Sequence, residues 1–567
     1  MNSKTKKCQN CNSKFTIEPE DFEFYKKIDV PEPTFCPECR LIRRLIYRNE
    51  RKLHKRKSNY SGKEMISIYN DKSLFNIYET KIYNSGEWDA LDYGMDYNFN
   101  KSFFEQFWKL LKKTPSEGLR IANSVNCDYC NVIINSKDCY VCSGIGSENC
   151  YYVGDAFMSK DSLNSFSIYR SEKIFEGLDI ESSYNLKYCT FCDNCIDSAF
   201  LYNCRNCQNC FGCVNLRHKK YHIFNKPYTK IGYEKEIKKY DLRSCKGVEK
   251  INSDYKKFSL KFPRSWARIS KSVNVTGDMI NKSKNCQNCF NVKEGAEDCK
   301  YILTSGFSLK DSYDLYAGGM KASFCYDSVG MLGGQNIIFS DRSHECYNLA
   351  YCINSFNSHD LFGCTGLRHK QYCILNKQYT KKEYQELVPQ IKKHMNEMPY
   401  TDKKGRIYKY GEFFPPELSP FGYNETIANE YFPLTKEEAI KQGYNWYDKP
   451  KNEYKPTIKA KNLPDNIKDV DNSILKEVIE CDSSNCAGSN VFRIIPQELK
   501  FYKKMNLPLP HLCPDCRHRE RIKQRNPLKL WKRQCMKKGC KNTFQTTYSP
   551  DRKEIIYCEK CYNKEVG

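Results

Sequence analysis

Asn135-Ser136-Lys137-Asp138-Cys139 is followed by Gly146-Ser147-Glu148-Asn149-Cys150, and then by Met158-Ser159-Lys160-Asp161-Ser162 and Arg170-Ser171-Glu172-Lys173-Ile174. The same corner opens at Asn123-Ser124-Val125-Asn126-Cys127, and further units fall near Asn185, Cys195 and Cys207, one every eleven or twelve positions. Each unit joins polar turn residues to a short segment of Cys, Tyr, Val or Ile. Turn chemistry at fixed offsets, with small or apolar side chains between the turns, is how a solenoid of short parallel strands is written; helical repeats need longer units. A coil can hold one unit or two. Two units, about 23–24 residues per coil, is the expectation.

The block closes on Phe211-Gly212-Cys213, Leu216-Arg217-His218-Lys219 and Asn225-Lys226. The theme then returns, with units near Cys286, Cys299, Ser312, Cys325, Ile337, Leu349 and Leu361, ending in Phe362-Gly363-Cys364, Leu367-Arg368-His369-Lys370 and Asn376-Lys377. The two endings lie 151 residues apart. The middle of the chain therefore reads as a duplicated solenoid, or as one solenoid interrupted by an insert. Its cysteines admit two readings. Inward ladders of small buried thiols are favoured, because free Cys is among the most buried residue types. The alternative is further metal sites at Cys189, Cys192, Cys195, Cys204, Cys207, Cys210 and Cys213, where three-residue spacing could support ligation.

Both ends of the chain carry a different cysteine pattern. Cys8 and Cys11 are followed by Cys36-Pro37-Glu38-Cys39, and Cys481 and Cys486 by Cys513-Pro514-Asp515-Cys516. The agreement extends to Phe24-Tyr25-Lys26-Lys27 with Phe501-Tyr502-Lys503-Lys504 and to Pro31 and Pro33 with Pro508 and Pro510. A third set is Cys535, Cys540, Cys558 and Cys561. Paired cysteines at this spacing, in a chain whose start shows no apolar secretory segment, point to metal rather than disulfides. Four thiolates suit structural zinc, and three sets imply about three zinc ions; iron also accepts four thiolates. A proline just inside the second pair suits a helix start. That order defines a treble clef, with a zinc ribbon as the alternative.

Charge is uneven. The net charge is +24; residues 1–57 hold 15 Lys and Arg against 8 Asp and Glu, and residues 481–567 hold 19 against 8. Positive charge on small metal-held modules suits a polyanion. A helix continued past Cys39 would gather Arg40, Arg44, Arg48, Arg51 and Lys55 on one face, opposite Leu41, Ile42, Leu45, Ile46 and Leu53. At the far end Arg517, Arg519, Arg521, Lys523 and Arg525 follow the second pair in the same way. These ten cations are the candidate phosphate contacts, and His511, His518 and Trp531 are candidate base-stacking groups.

The resulting division is 1–57, a treble-clef zinc finger with a basic helix; 58–122, an aromatic-rich connector with a helix at about 101–113; 123–228, the first solenoid block; and 229–280, a helical insert. Then come 281–378, the second solenoid block; 379–480, a helix and a Pro/Lys-rich linker; 481–530, the second finger; and 531–567, the third. Thr435 and Glu438 form a candidate capping box in the bridge, which runs into a Lys-rich linker at about 449–470. No run of 18 apolar residues is present, so no membrane span is expected and a cytoplasmic location is.

The Cys-Pro-x-Cys-Arg blocks, the paired Leu-Arg-His-Lys endings and the closing Tyr557-Cys558-Glu559-Lys560-Cys561-Tyr562 resemble a group of cysteine-rich multi-zinc-finger proteins from candidate-phyla bacteria. The group has no established activity. The resemblance covers nearly the whole chain; it implies zinc fingers and little else.

The expectation is a zinc-binding scaffold that contacts nucleic acid, RNA or the ribosome before DNA, through its basic finger helices. A protein-interaction scaffold using the fingers and the solenoid flank is the alternative. A β-helix enzyme acting on an anionic substrate through Arg217, His218, Arg368 and His369 is less favoured, because no spaced carboxylate pair or nucleophile–base set recurs. Oligomeric state is left open.

Overall fold

A computed structural model describes residues 2–450 and 454–567; residues 451–453 of the Lys-rich linker lie outside it. Two separate parallel β-solenoids form the body. Strands of the first run from Ile121–Ala122 to Lys226–Pro227, and strands of the second from Ile269–Ser270 to Lys377–Gln378. The second solenoid therefore starts inside the stretch expected to be a helical insert; the insert's helices are Lys230–Glu236, the 3-10 turn Ile237–Lys239 that continues it, and Cys245–Ser259.

One sequence unit is one coil, not half of one. Cys127 pairs with Cys139, Val153 with Ser165, Ile174 with Leu186 and Gln335 with Tyr347, so each residue meets its counterpart in the very next unit. In the second solenoid the coil opens at 11 residues, with Ile269 opposite Ile280, and widens to 13 in the coils that follow, with Cys286 opposite Cys299 and Cys299 opposite Ser312. A triplet inside the unit explains the small coil. Positive φ recurs at every third residue, as at Asn126, Tyr129, Val132, Asn135, Asp138 and Val141. The residue after each of the last five turns inward: Cys130, Ile133, Ser136, Cys139 and Cys142 are buried, while Cys127 in the first coil is half-buried. A left-handed residue every third position bends the chain tightly enough to close a coil in four triplets. Asn and Asp tolerate that conformation best and fill many of these positions.

Those Asn and Asp side chains also bond from coil to coil. Asn126 donates to Asp138 at 2.9 Å, Asn185 to Asp197 at 2.8 Å and Asn348 to Asp360 at 3.1 Å. Inside, serine hydroxyls such as those of Ser136, Ser162, Ser171 and Ser183 donate to their own strand and accept an N–H from the next coil: Ser171 Oγ bonds Tyr169 O at 2.7 Å and receives Ser183 N–H at 3.1 Å. The Ser-Lys-Asp-Cys corner is thus inward, outward, left-handed, inward.

Each solenoid ends in an antiparallel hairpin. Asn225 exchanges two bonds with the Val214 backbone, and Asn376 does the same with Thr365. This cap accounts for the duplicated endings. Arg217 donates to Asn203 O and Leu216 O, while Arg368 donates to Asn84 and lies over the Tyr83 and Phe356 rings.

The remaining segments cover the solenoid flanks. The helix Phe103–Lys113 buries Phe103, Phe104 and Phe107 against Tyr351, Phe362 and Phe414. Thr435 and Glu438 close the expected capping box at helix Lys436–Lys441. None of the helices among the described residues is long and apolar enough to cross a membrane.

Candidate metal centres and cationic surfaces

Three four-cysteine groups assemble, each with all four thiols within 4.8 Å of one another: Cys8, Cys11, Cys36 and Cys39; Cys481, Cys486, Cys513 and Cys516; Cys535, Cys540, Cys558 and Cys561. In each, the first pair lies in a knuckle between two short antiparallel strands and the second opens a helix. Cys36, Cys513 and Cys558 are the N-cap residues of Pro37–Leu45, Pro514–Ile522 and Glu559–Val566. This is the treble-clef order, and it excludes the zinc-ribbon alternative.

The donor set fits a tetrahedral thiophilic ion. Sulfur separations are 3.7 Å for Cys11–Cys36, 3.5 Å for Cys486–Cys513 and 3.9 Å for Cys540–Cys558. Zinc–sulfur bonds of about 2.3 Å at tetrahedral angles place sulfurs about 3.8 Å apart. Backbone N–H groups point at the sulfurs: Cys36 N–H at Cys8, Cys513 N–H at Cys481 and Ala487 N–H at Cys516, each at 3.2 Å, and Cys558 N–H at Cys535 at 3.3 Å. Such bonds favour the thiolate form that a metal requires.

The central cysteines are arranged differently. Cys189, Cys192, Cys195, Cys204, Cys207, Cys210 and Cys213 are all buried inside the first solenoid. Their thiols face backbone carbonyls: Cys195 donates to Asp193 O and Cys204 O at 3.4 Å, and Cys210 to Gln208 O at 3.5 Å and Lys219 O at 3.6 Å. None of the seven belongs to a group that could hold a metal ion among the described residues. They occupy the inward position that serine takes in other coils.

The arginines that follow Cys39 and Cys516 are turned inward. The first finger's helix ends at Leu45, so Arg48, Arg51 and Lys55 are not on it; Lys55 lies in the hairpin strand His54–Lys57, where it pairs with Glu64 at 2.8 Å. Arg40 is 1 % exposed and Arg44 0 %. Arg40 and Arg44 both reach Asp314 at 2.9 Å, Arg44 also reaches Asp327 at 2.6 Å, and Arg43 bridges Asp327 at 2.8 Å and Glu412 at 2.7 Å. Arg48 pairs with Glu50 at 3.0 Å, and Arg51 is half-buried. Arg43, absent from the helical stripe in the sequence, is as buried as its neighbours.

The second finger repeats the docking on the first solenoid. Arg517 bonds Glu498 at 2.8 Å and Asn164 at 2.9 Å, Arg521 pairs with Glu176, and Arg525 pairs with Asp179. Arg519 and Lys523 stay at the surface beside Glu520. The aromatic pair is shared as well: Phe24 stacks on Tyr313 with centroids 3.9 Å apart, and Tyr502 meets Phe175 at 5.8 Å. The acceptors Asn164, Glu176, Asp179, Asp314 and Asp327 are all left-handed residues of solenoid coils. Of the ten cations expected to face phosphate, Arg40, Arg44, Arg521 and Arg525 thus face carboxylates the solenoids project. Burying a guanidinium is tolerated only when it is paired in this way.

The third finger joins the two solenoids. Tyr562 donates to Asn215 at 3.0 Å, Tyr202 and Tyr548 hydroxyls lie 3.1 Å apart, Thr547 donates to Asp278 at 3.1 Å, and strand Ile556–Tyr557 pairs with Arg264–Ser265. Its cations face outward. Lys529, Lys532, Lys538, Lys541, Lys553, Lys560 and Lys564 are exposed, while Lys537 pairs with Glu565. Alongside, the insert helices pack on the end of the first solenoid through Phe258 on Phe224 and Tyr240 on Phe211. Residues 217–261 hold 14 Lys and Arg against 5 Asp and Glu. Lys219, Lys220, Lys226, Lys230, Lys235, Lys238, Lys246, Lys250, Lys256, Lys257 and Lys261 are exposed there. This concentration lies outside both terminal stretches, 1–57 and 481–567, in which the sequence shows its surplus of positive charge.

Between the solenoids lies a cavity of about 190 Å³, walled by Phe157, Phe166, Phe307 and Tyr316 and by the charged groups Arg48, Arg120, Asp155 and Lys293. Lys293 donates to Ser167 at 3.1 Å and sits 3.1 Å from the centroid of the Tyr169 ring. Burial pulls its pKa down to about 8. Burial, and then the neighbouring Arg48, lowers Arg120 to about 10.

No family model matches the chain, and no curated protein matches it.

Proposed function

We propose that the protein is a zinc-clamped double-solenoid scaffold that binds nucleic acid, RNA in preference to DNA, through the third finger, the insert helices and the capped end of the first solenoid. The observation that carries this reading is the segregation of cations. Five arginines of the first two fingers, Arg40, Arg43, Arg44, Arg521 and Arg525, are consumed by solenoid carboxylates, whereas the lysines of 217–261 and 529–567 stand in water on adjoining elements. A mobile lysine surface suits sequence-independent contact with phosphate. Half-buried Trp531 lies within it as a stacking group. His518, buried against Glu430, does not serve that role.

The test is a salt titration of single-stranded RNA binding to the full chain, with duplex DNA in parallel. Removing one phosphate-binding cation should flatten the salt slope by about 0.7 on single strands. The triple variant Lys532→Glu, Lys538→Glu, Lys541→Glu should weaken binding uniformly across sequences and flatten the slope by about two units. Unchanged affinity in that variant, or no RNA binding at low salt, overturns the proposal and leaves the protein-interaction scaffold as the reading to pursue.

A further inference from the structure

We infer a fourth metal site, open to solvent, formed by Cys245, Glu249 and His511. These three residues come from two distant parts of the chain, the insert helix and the second finger. Cys245 Sγ lies 4.0 Å from His511 Nδ1 and 3.8 Å from a Glu249 carboxylate oxygen, and the three donor atoms fall within 4.8 Å of one another. Donors bound to one zinc ion, at bond lengths of about 2.0–2.3 Å, lie roughly 3.2–3.7 Å apart. A contraction of about half an ångström would bring Cys245 to both partners, and Glu249 and His511, within 4.8 Å of each other, would close on the same ion.

Three features hold the donors in place. Cys245 and Glu249 stand at positions i and i+4 of the helix Cys245–Ser259 and so share one face. The start of that helix is fixed from outside: Cys245 N–H donates to Asp465 O at 2.9 Å, Lys246 N–H to the Asp465 carboxylate at 3.0 Å, and Ser244 Oγ to the same carboxylate at 2.5 Å. His511 is anchored by its carbonyl, which accepts Asp482 N–H at 3.0 Å, and by the metal knuckle two residues on at Cys513.

The chemistry differs from that of the three clamps. One sulfur, one imidazole nitrogen and one carboxylate oxygen are a mixed set of the kind zinc takes with three protein ligands and a fourth position left to water. Glu249 is exposed and Cys245 and His511 are half-buried, so an ion can enter and the fourth position faces solvent. Cys8, Cys36 and Cys39 of the first clamp, by contrast, are buried. The set selects a borderline divalent ion such as Zn²⁺ or Co²⁺ over Mg²⁺ or Ca²⁺, which prefer all-oxygen shells. A bound ion would tie the insert to the second finger.

The test uses the full chain and the metal alone. After dialysis against zinc and a mild chelator series, the wild type should hold four zinc per chain, the fourth released at the lowest chelator strength. Cys245→Ser, Glu249→Gln and His511→Ala should each hold three, with melting of the tetrathiolate fingers unchanged. With zinc kept in the clamps, added Co²⁺ should give the visible bands of a tetrahedral single-thiolate site, lost in Cys245→Ser. A wild type that stops at three zinc ions and gives no cobalt spectrum overturns the site. So does a fourth ion that survives in both Cys245→Ser and His511→Ala.

Discussion

The first two fingers and the third share one local fold and use their cations in opposite ways. In the first two, Arg40, Arg43, Arg44, Arg517 and Arg521 are buried against carboxylates or amides, mostly projected from solenoid coils. In the third, the cations are mostly lysines in water. Arginine suits the first task because its planar fork holds two acceptors at once; lysine suits the second because it is a mobile point charge. Basic composition alone does not say which task a finger performs. The duplication also gains a physical meaning: the first finger clasps the second solenoid, and the second finger clasps the first.

The largest effect that could break this comparison is loss of metal. Structural zinc in small fingers is worth about 10–16 kcal/mol of apparent binding free energy. Chelation strong enough to strip the tetrathiolate sites should unfold all three fingers and lower the melting temperature of the whole chain, because the clasped solenoid flanks lose their cover. Metal analysis and calorimetry together check this. A chelated protein with an unchanged melt would mean that the clasps are not structural.

Next is the carboxylate that serves two arginines. Asp327→Ala leaves Arg43 and Arg44 short of a buried partner and should cost about 3–5 kcal/mol in chemical denaturation. Glu176→Ala, whose carboxylate is 24 % exposed, should cost less, because water can reach Arg521. Lys538→Ala on the third finger should stay within about 0.5 kcal/mol. Equal effects in all three would erase the distinction between clasp and surface.

The smallest effect concerns Lys293, in the cavity between the solenoids. Its folded pKa of about 8 lies below the ordinary lysine value. Between those two values the unfolded chain binds the extra proton, so wild-type stability should rise with pH through that window, by at most about 3 kcal/mol. Lys293→Met should lack this rise and be relatively more stable near pH 7. Parallel denaturation curves for the two proteins at pH 7.5 and 10 check it; an identical pH dependence would show that the cavity is wet.

Much of this architecture is legible in the chain. The three tetracysteine sets, the proline that starts each docked helix, the helix at 103–113 and the Thr435 capping box follow from local spacing and capping chemistry. The solenoid is legible too, but its spacing suggests a coil of twice the actual size. The triplet of inward, outward and left-handed residues is present in Ser-Lys-Asp-Cys, yet its meaning depends on positive φ at Tyr129 and Val132 as much as at Asn126. Tyr and Val seldom adopt that conformation, and here the coil-to-coil ladder imposes it.

What the sequence determined by itself is the set of parts: three metal modules, two runs of coils and a surplus of positive charge. These are encoded within tens of residues by thiol spacing, turn residues and period. Only the tertiary structure decided what the charge is for. Asp327 lies 283 residues from Arg44, and Glu176 lies 345 residues from Arg521, so no local pattern announces these pairs. The fourth metal site has the same cause: Cys245 and Glu249 are ordinary residues on a helix until the fold brings His511 to them. Burial and pairing, which convert an exposed-looking stripe into a clasp, are properties of contact between remote segments.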